Sequence, residues 1–403
     1  MRVRARGRWR WVVAAAAFVL AVHPRPADAE EAVKEDREIS VVPLVGGDTD
    51  HGFGAGALGS VAMFDPDHTP WKWKVEFGGF YAVKGNFPRP SFVDAYALIT
   101  FPQLLDKRLR LEIRPSFTKD TALEYYGLGN RPPQPADYDE KRDTYERLHP
   151  ALSVMTLWKG PRKLSLLVGA RYIYNRVTFD PSSTLARDTM TFPHDHDAPH
   201  SVVTVEAGIV YDSRDSELAP TRGHYHAVKL RVSPGVGDGL PYGYQQINAT
   251  VRFYQTLVPR YLVFAARAVF DLQLGDVPFY EMSRFEDASA IGGSQGVRGV
   301  PAYRFYGRVK AFGNLELRTE VTRFRWLDRP FILGFAGFFD GGRLWTDIHH
   351  ARPDLDGAGT GLHYGVGGGV RIQKGRSFLL RVDVAWSPDA EPIGIYVLAN
   401  HAF

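Results

Sequence analysis

The stretch Ile291 to Tyr303, IGGSQGVRGVPAY, holds the residues best placed to do covalent chemistry. Gly292-Gly293-Ser294-Gln295-Gly296 matches the G-x-S-x-G nucleophile elbow, which exposes a serine hydroxyl for acyl transfer. That elbow needs a helix behind the serine, and Asp and His partners further along. Behind Ser294 comes Val297-Arg298-Gly299-Val300-Pro301, where Pro301 and two glycines discourage a helix. His349, His350, His363 and His401 lie downstream, so composition alone leaves a serine hydrolase as a remote alternative. No residue is assigned a catalytic role. In HDHDAPH, His194, His196 and His200 interleave with Asp195 and Asp197, a set that could hold a surface metal through imidazole nitrogen and carboxylate oxygen. A solvated polar loop accounts for it more simply, and His349-His350 reads the same way. Neither a metal nor a cofactor is expected.

The elements that position these residues are read from the rest of the chain. Arg2, Arg4, Arg6, Arg8 and Arg10 make a basic start, followed by the apolar run Trp11 to Val22, too short to span a bilayer. Ala27-Asp28-Ala29 then supplies a cleavage site. Residues 1–29 are expected to be an export signal rather than a retained anchor, and 30–403 a single domain. Six arginines and one aspartate lie in 1–29, so the formal charge of +4 becomes −1 over 30–403. A nucleic-acid partner is therefore not expected. The absence of cysteine excludes a disulfide framework in an exported chain.

After residue 38 the dominant signal is period-two alternation. Phe378, Leu380, Val382, Val384 and Trp386 alternate with Ser377, Leu379, Arg381, Asp383 and Ala385. Leu315, Leu317 and Val321 share one face, and Asn314, Glu316, Arg318 and Glu320 the other. The polar face carries both signs of charge, which fits a wet lumen with lipid outside. The alternation predicts strands near 39–46, 52–63, 71–83, 91–101, 107–118, 144–158, 163–175, 201–212, 222–233, 243–258, 261–274, 307–322, 330–342, 361–373, 376–387 and 393–403. Short connections such as Pro259-Arg260 alternate with long ones, Lys119–Asp143, Asn175–His200, Gly275–Tyr306 and Thr346–Thr360. The expected fold is all-β: a transmembrane antiparallel β-barrel of about sixteen strands, with short periplasmic turns and long external loops.

Within such a barrel, Val297-Arg298-Gly299 resembles the VRG(F/Y) signature in the sixth extracellular loop of the BamA/TamA-like outer-membrane assembly factors, the bacterial surface antigen family. Tyr211-Asp212-Ser213-Arg214-Asp215 with Pro220-Thr221-Arg222-Gly223 is similar to that family's periplasmic turn between the eighth and ninth strands. Gly337-Phe338-Phe339-Asp340-Gly341-Gly342 resembles its second motif, and Tyr125 to Asn130 (YYGLGN) its lead-in to the third external loop. The resemblance implies that the sixth loop folds back into the lumen and that Arg298 pairs with Asp340, next to Gly341. The sequence independently makes room there. His363, Gly365, Gly367, Gly369 and Arg371 share one face, and three inward glycines leave a groove for another backbone. In the eighth-to-ninth turn, Asp212, Arg214, Asp215 and Arg222 read as a turn-fixing charged set beside Pro220 and Gly223 rather than an acid/base cluster.

The implied setting is the bacterial outer membrane, with lipid and client proteins as partners. The terminal aromatic Phe403 resembles the signal by which the barrel assembly machinery recognises its own clients, although His401 departs from it. Family members also carry periplasmic POTRA domains, and the residues from Glu30 to Glu38 leave no room for one. Client proteins or a separate periplasmic partner are the candidate partners, and the sequence does not show whether such a partner replaces those domains. The expected function is outer-membrane biogenesis, by insertion or translocation of protein or lipid. The alternative is a POTRA-less passive pore or lipid-transfer barrel. Pro43, in the first strand, removes a ladder donor where the barrel must close.

Overall fold

The structure, a computed structural model, describes residues 36–48, 51–84, 90–132, 138–139, 141–192, 194, 197–286, 288–350, 352–389 and 393–403. The expected export signal lies outside the described residues. The chain forms β1 (Arg37–Asp48), β2 (Gly52–Asp65), β3 (His68–Val83), β4 (Pro90–Leu104) and β5 (Leu109–Glu124). Next come β6, in the two pieces Thr144–Leu148 and Ala151–Lys159, then β7 (Leu164–Thr178), β8 (His200–Asp212), β9 (Gly223–Val236), β10 (Leu240–Val258) and β11 (Leu262–Gly275). The last five are β12 (Val309–Trp326), β13 (Arg329–Trp345), β14 (His363–Lys374), β15 (Phe378–Trp386) and β16 (Gly394–Ala399). Each strand pairs antiparallel with the next, from β1–β2 through β15–β16. This is the sixteen-stranded all-β barrel that the alternation predicts.

Burial is inverted relative to a water-soluble sandwich. On β12, Leu315 and Leu317 are exposed while Asn314, Glu316 and Arg318 are buried. On β15, Val384 and Trp386 are exposed while Arg381 and Asp383 are buried. Apolar side chains thus face outward and charged ones inward, as lipid outside and a polar lumen require. Turns of two to four residues close most of the short side, the longer 213–222 excepted. Leu327 and Asp328, between β12 and β13, both sit in the left-handed region (φ 48° and 56°), the geometry that matches the twist of a tight hairpin.

Most strand ends fall within three residues of the expected bounds, but β5 runs on to Glu124 where 118 was expected and β12 to Trp326 where 322 was expected. The strand expected at 71–83 begins at His68. The strand expected at 144–158 breaks at His149-Pro150, because proline has no N–H for the ladder and pairing resumes only at Ala151. The terminal strand, expected at 393–403, stops at Ala399. Asn400 takes a left-handed φ of 68° and turns the chain inward, burying Ala402 and Phe403 against Tyr254 and Ala265.

Apolar packing inside the barrel comes from the loops. Tyr125, Tyr145, Tyr242, Tyr244, Phe279, Tyr280 and Tyr306 form an aromatic cap over the lumen. Deeper, Ile291, Val297, Val300 and Phe305 pack on Phe312 and Leu344. A small hairpin, Arg284–Phe285 against Ala288–Ser289, starts the inward course of loop 276–308 and had no signal in the alternation.

Candidate functional site

The loop between β11 and β12 places Arg298 against the inner wall with none of its side chain exposed. Its Nε and Nη2 donate to Asp340 Oδ2 and Oδ1 at 2.7 and 3.0 Å, and its backbone N–H donates to Oδ2 at 3.1 Å. Nη1 donates to Glu316 Oε1 at 2.7 Å and to Asp383 Oδ2 at 3.0 Å. The guanidinium carbon lies 3.5 Å from the centre of the Phe338 ring. One arginine therefore meets carboxylates from β12, β13 and β15 and stacks on a ring of β13. Bidentate pairing and stacking are what the planar guanidinium supplies and an ammonium does not.

Three carboxylates around one cation need further positive charge. Arg318 Nε donates to Glu316 Oε2 at 2.7 Å, Arg371 Nη1 to Asp383 Oδ1 at 2.5 Å and Arg381 Nη1 to Asp383 Oδ2 at 3.3 Å. Arg381 also reaches the Ser294 carbonyl at 3.3 Å. Glu316 and Asp383 stand on the inward faces legible in the alternation, which gives their face but not that they lie level with Arg298. Phe338, which looks like an obstruction among small inward residues, is the stacking platform.

The glycines divide their roles. A Cβ on Gly365 would stand 1.8 Å from the Arg298 carbonyl oxygen, so the loop backbone does lie against this position. Gly367 instead yields to the Phe338 ring, and Gly369 to Asp383 and Arg371. Gly341 shares the outward face, with its nearest neighbours at ordinary contact distance. Gly342 takes the close approach, 2.6 Å from Ile291 Cδ1 for a built Cβ. Gly299, at φ +94°, presses on the end of β15, and its N–H donates to Tyr396 Oη of β16 at 3.0 Å. Val297 is fully buried in the apolar cluster beneath the loop. Ser294 is followed by turns rather than a helix.

Other sequence motifs shape the two ends. Asn130 Nδ2 donates to the Gly361 carbonyl at 2.7 Å, its Oδ1 accepts from Leu344 N at 3.0 Å, and its own carbonyl lies 2.9 Å from His363 Nε2. It thereby joins the third and seventh external loops. Asp143, at the foot of the third loop, accepts from Asp139 N and Thr184 N at 3.0 and 2.8 Å and from Arg142 Nη2 at 2.7 Å. Burial pushes its carboxyl up, but these donors outweigh burial and hold it at about 2. In the periplasmic turn, Asp212 takes Arg214 bidentately, at 3.0 and 2.7 Å. Asp215 accepts from Thr221 Oγ1, from Thr221 N at 2.9 Å and from Arg222 N at 3.2 Å, not from the Arg222 guanidinium. Burial pushes its carboxyl up, but these bonds, the Thr221 hydroxyl first, hold it low. Pro220 lies within that turn, and Gly223 (φ +107°) lets the strand pass the Ser213 carbonyl. Of the HDHDAPH histidines, His200 is buried with Nε2 2.8 Å from Tyr280 Oη. His194 lies 3.7 Å from Asp276, and Asp195 and His196 fall outside the described residues.

The seam is closed without a ladder. All of β1 pairs with β2, and among the described residues its other edge has no ladder to β16. At the periplasmic end Lys374 Nζ donates to the Ile39 carbonyl at 2.7 Å, and Glu38 accepts from Ser377 Oγ at 2.7 Å and Arg376 N at 3.2 Å. The turn joining β14 to β15 thus holds β1 below the end of the short β16. Phe403, whose carbonyl accepts from Arg318 Nη2 at 3.1 Å, faces the lumen rather than lipid.

The Omp85 superfamily domain matches residues 99–395. No curated protein matches the chain. Among solved structures the chain is similar to BamA from Haemophilus ducreyi lacking POTRA domains 1–3, with a TM-score of 0.56 and 13% identity over 91% of this chain and 70% of that one. It is also similar to CdiB from Escherichia coli, with a TM-score of 0.55 and 11% identity over 94% of this chain and 66% of that one. At such identities the likeness is one of fold, and this chain spans about two thirds of the CdiB chain, 66%. Omp85 barrels are outer-membrane proteins, and no helix among the described residues is long and apolar enough to cross a membrane. With the family match covering most of the barrel strands, the chain belongs to the Omp85 superfamily.

Proposed function

We propose that this barrel acts in outer-membrane biogenesis, moving protein or lipid into or across the membrane through the seam between β1 and β16. The observation that carries the reading is the unpaired outer edge of β1 opposite a last strand only six residues long. An exposed edge offers backbone donors and acceptors to an incoming strand, and one lacking a ladder parts at little cost. The contacts of Arg298 support a sixth loop that holds β12 to β15 in place while the seam works. Client chains, outer-membrane lipid and a separate periplasmic protein are the partners this reading requires.

The test is reconstitution into liposomes, with solute leakage, lipid flip-flop and insertion of a test barrel measured side by side. Val41 and Val397 face outward on the two seam strands, 56% and 40% exposed. The chain lacks native cysteine, so Val41→Cys with Val397→Cys can be bridged by a flexible bismaleimide. Bridging should abolish insertion or flip-flop. Leakage alone, unaffected by the bridge, would make the protein a passive pore.

A further inference from the structure

Two neighbouring turns on the short side concentrate cations that no carboxylate neutralises. Lys107 and Arg108 stand between β4 and β5, Lys159 ends β6, and Arg162 and Lys163 stand between β6 and β7, all five exposed. The turns are adjacent, since the Lys159 backbone N–H donates to the Arg108 carbonyl at 2.7 Å and Lys159 Nζ to the Pro102 carbonyl at 3.1 Å. Lys107, Arg162 and Lys163 take left-handed φ values of 67°, 55° and 66°, where glycine or asparagine would fit with less strain.

The nearby acids are engaged elsewhere. Glu112 and Glu217 are both taken by Arg110, each at 2.7 Å, and among the described residues none of the five cations forms an ion pair. Asp106 is the one acid within the two turns. Beside other turns, by contrast, Lys72, Arg214 and Arg323 meet Asp65, Asp212 and Glu320. Apolar side chains border the patch, with Leu105, Trp158 and Leu164 exposed to 63%, 45% and 42%. Leu109, Trp158 and Leu166 are register partners across β5, β6 and β7 and make a continuous apolar row.

We infer that these two turns bind the anionic head group of a phospholipid in the periplasmic leaflet, its phosphate between the two sets of cations and its acyl chains along the Leu109–Trp158–Leu166 row. A tryptophan beside lysine and arginine marks the depth at which a membrane protein passes from hydrocarbon to head groups. Guanidinium groups pair with phosphate oxygens, and each exposed cation near an anionic leaflet strengthens binding about fivefold. An acidic protein partner would account for the cations but not for the apolar row beside them, which faces lipid. The inference does not rest on the proposed function, because β4 to β7 lie away from the seam.

The experiment uses the full chain in phosphatidylcholine vesicles doped with phosphatidylglycerol or phosphatidylcholine that carries a diazirine on an acyl chain close to the head. Labels are mapped by mass spectrometry. At low salt the phosphatidylglycerol probe should label the peptide carrying Trp158 about tenfold more than the phosphatidylcholine probe does. The peptide carrying Leu257, exposed at the end of β10, should take the two probes equally. Combining Lys107→Gln, Arg108→Gln, Arg162→Gln and Lys163→Gln should abolish the preference at Trp158 while leaving the Leu257 labels and the heat-sensitive compact band on gels unchanged. Asp106→Asn should raise the preference severalfold, and salt at about 0.5 M should weaken it, because screening then acts within a few ångströms. Equal labelling at Trp158 by the two probes, or a preference that survives the glutamine substitutions, would overturn the inference. So would a chain with no preference in vesicles whose patch cross-links an acidic periplasmic protein in cells, since the cations would then serve a protein.

Discussion

A guanidinium gripped by three carboxylates and stacked on a ring has no good substitute. Arg298→Ala leaves Asp340, Glu316 and Asp383 buried with less cation than they need, which should cost about 3–5 kcal/mol. The expected readout is a lower temperature for loss of the compact band on unheated gels. Arg298→Lys should restore only part of the loss, because an ammonium reproduces neither the bidentate grip nor the stacking. Gly365→Ala drives a methyl into the Arg298 carbonyl and should cost about 1–3 kcal/mol. Gly337→Ala, where a built Cβ meets nothing within 4 Å, should cost far less. Equal shifts for the two glycine variants would mean that the loop does not press on Gly365. Asp143 offers a pH test outside the membrane. Its folded carboxyl titrates at about 2, below the ordinary 3.8, so the stability it lends is complete well above 3.8 and is lost as pH falls through that value toward 2. Protease cleavage of the third and fourth loops should rise over that window, and Asp143→Asn should cleave readily at neutral pH with little further change in acid.

Among the elements, the strands were legible in number and order, with most ends within three residues, because lipid outside and charge inside impose a strict period of two. The exceptions have local causes: Pro150 interrupts a ladder, and Asn400 turns the last residues out of theirs. The loop's fold was not legible in this way. Its burial comes from contacts with strands far away in sequence, and the Arg284–Ser289 hairpin is too short to show periodicity. Of the charged site, Arg298 and Asp340 were found through their motifs. Glu316, Asp383 and Phe338 share inward faces with them, but period two gives a face and not a height along the strand. At the seam, Glu38→Gln weakens the contacts to Ser377 and Arg376 N and should make β1 easier to part. A rise in bismaleimide-free disulfide formation between introduced cysteines and an added edge-strand peptide would show it, and no change would place the latch elsewhere.

For the whole molecule, the sixth loop is both filler and tie. Deleting residues 290–302 should leave a barrel that still shifts on heating but conducts ions severalfold better in planar bilayers. Unchanged conductance would mean that other loops block the lumen. The loop touches the two sides of the barrel differently. Its arginine and glycines lock onto β12 to β16, while a cavity separates it from much of β1 to β5. The wall is therefore mechanically lopsided, one arc stiffened by a charged knot and the other backed by empty space. Amides of β2 to β4 should exchange with solvent deuterium sooner than those of β12 to β14. On the proposed function, parting of the seam should displace β1 to β5, with Glu38 still held to Ser377 and Arg376 N and the braced arc staying still.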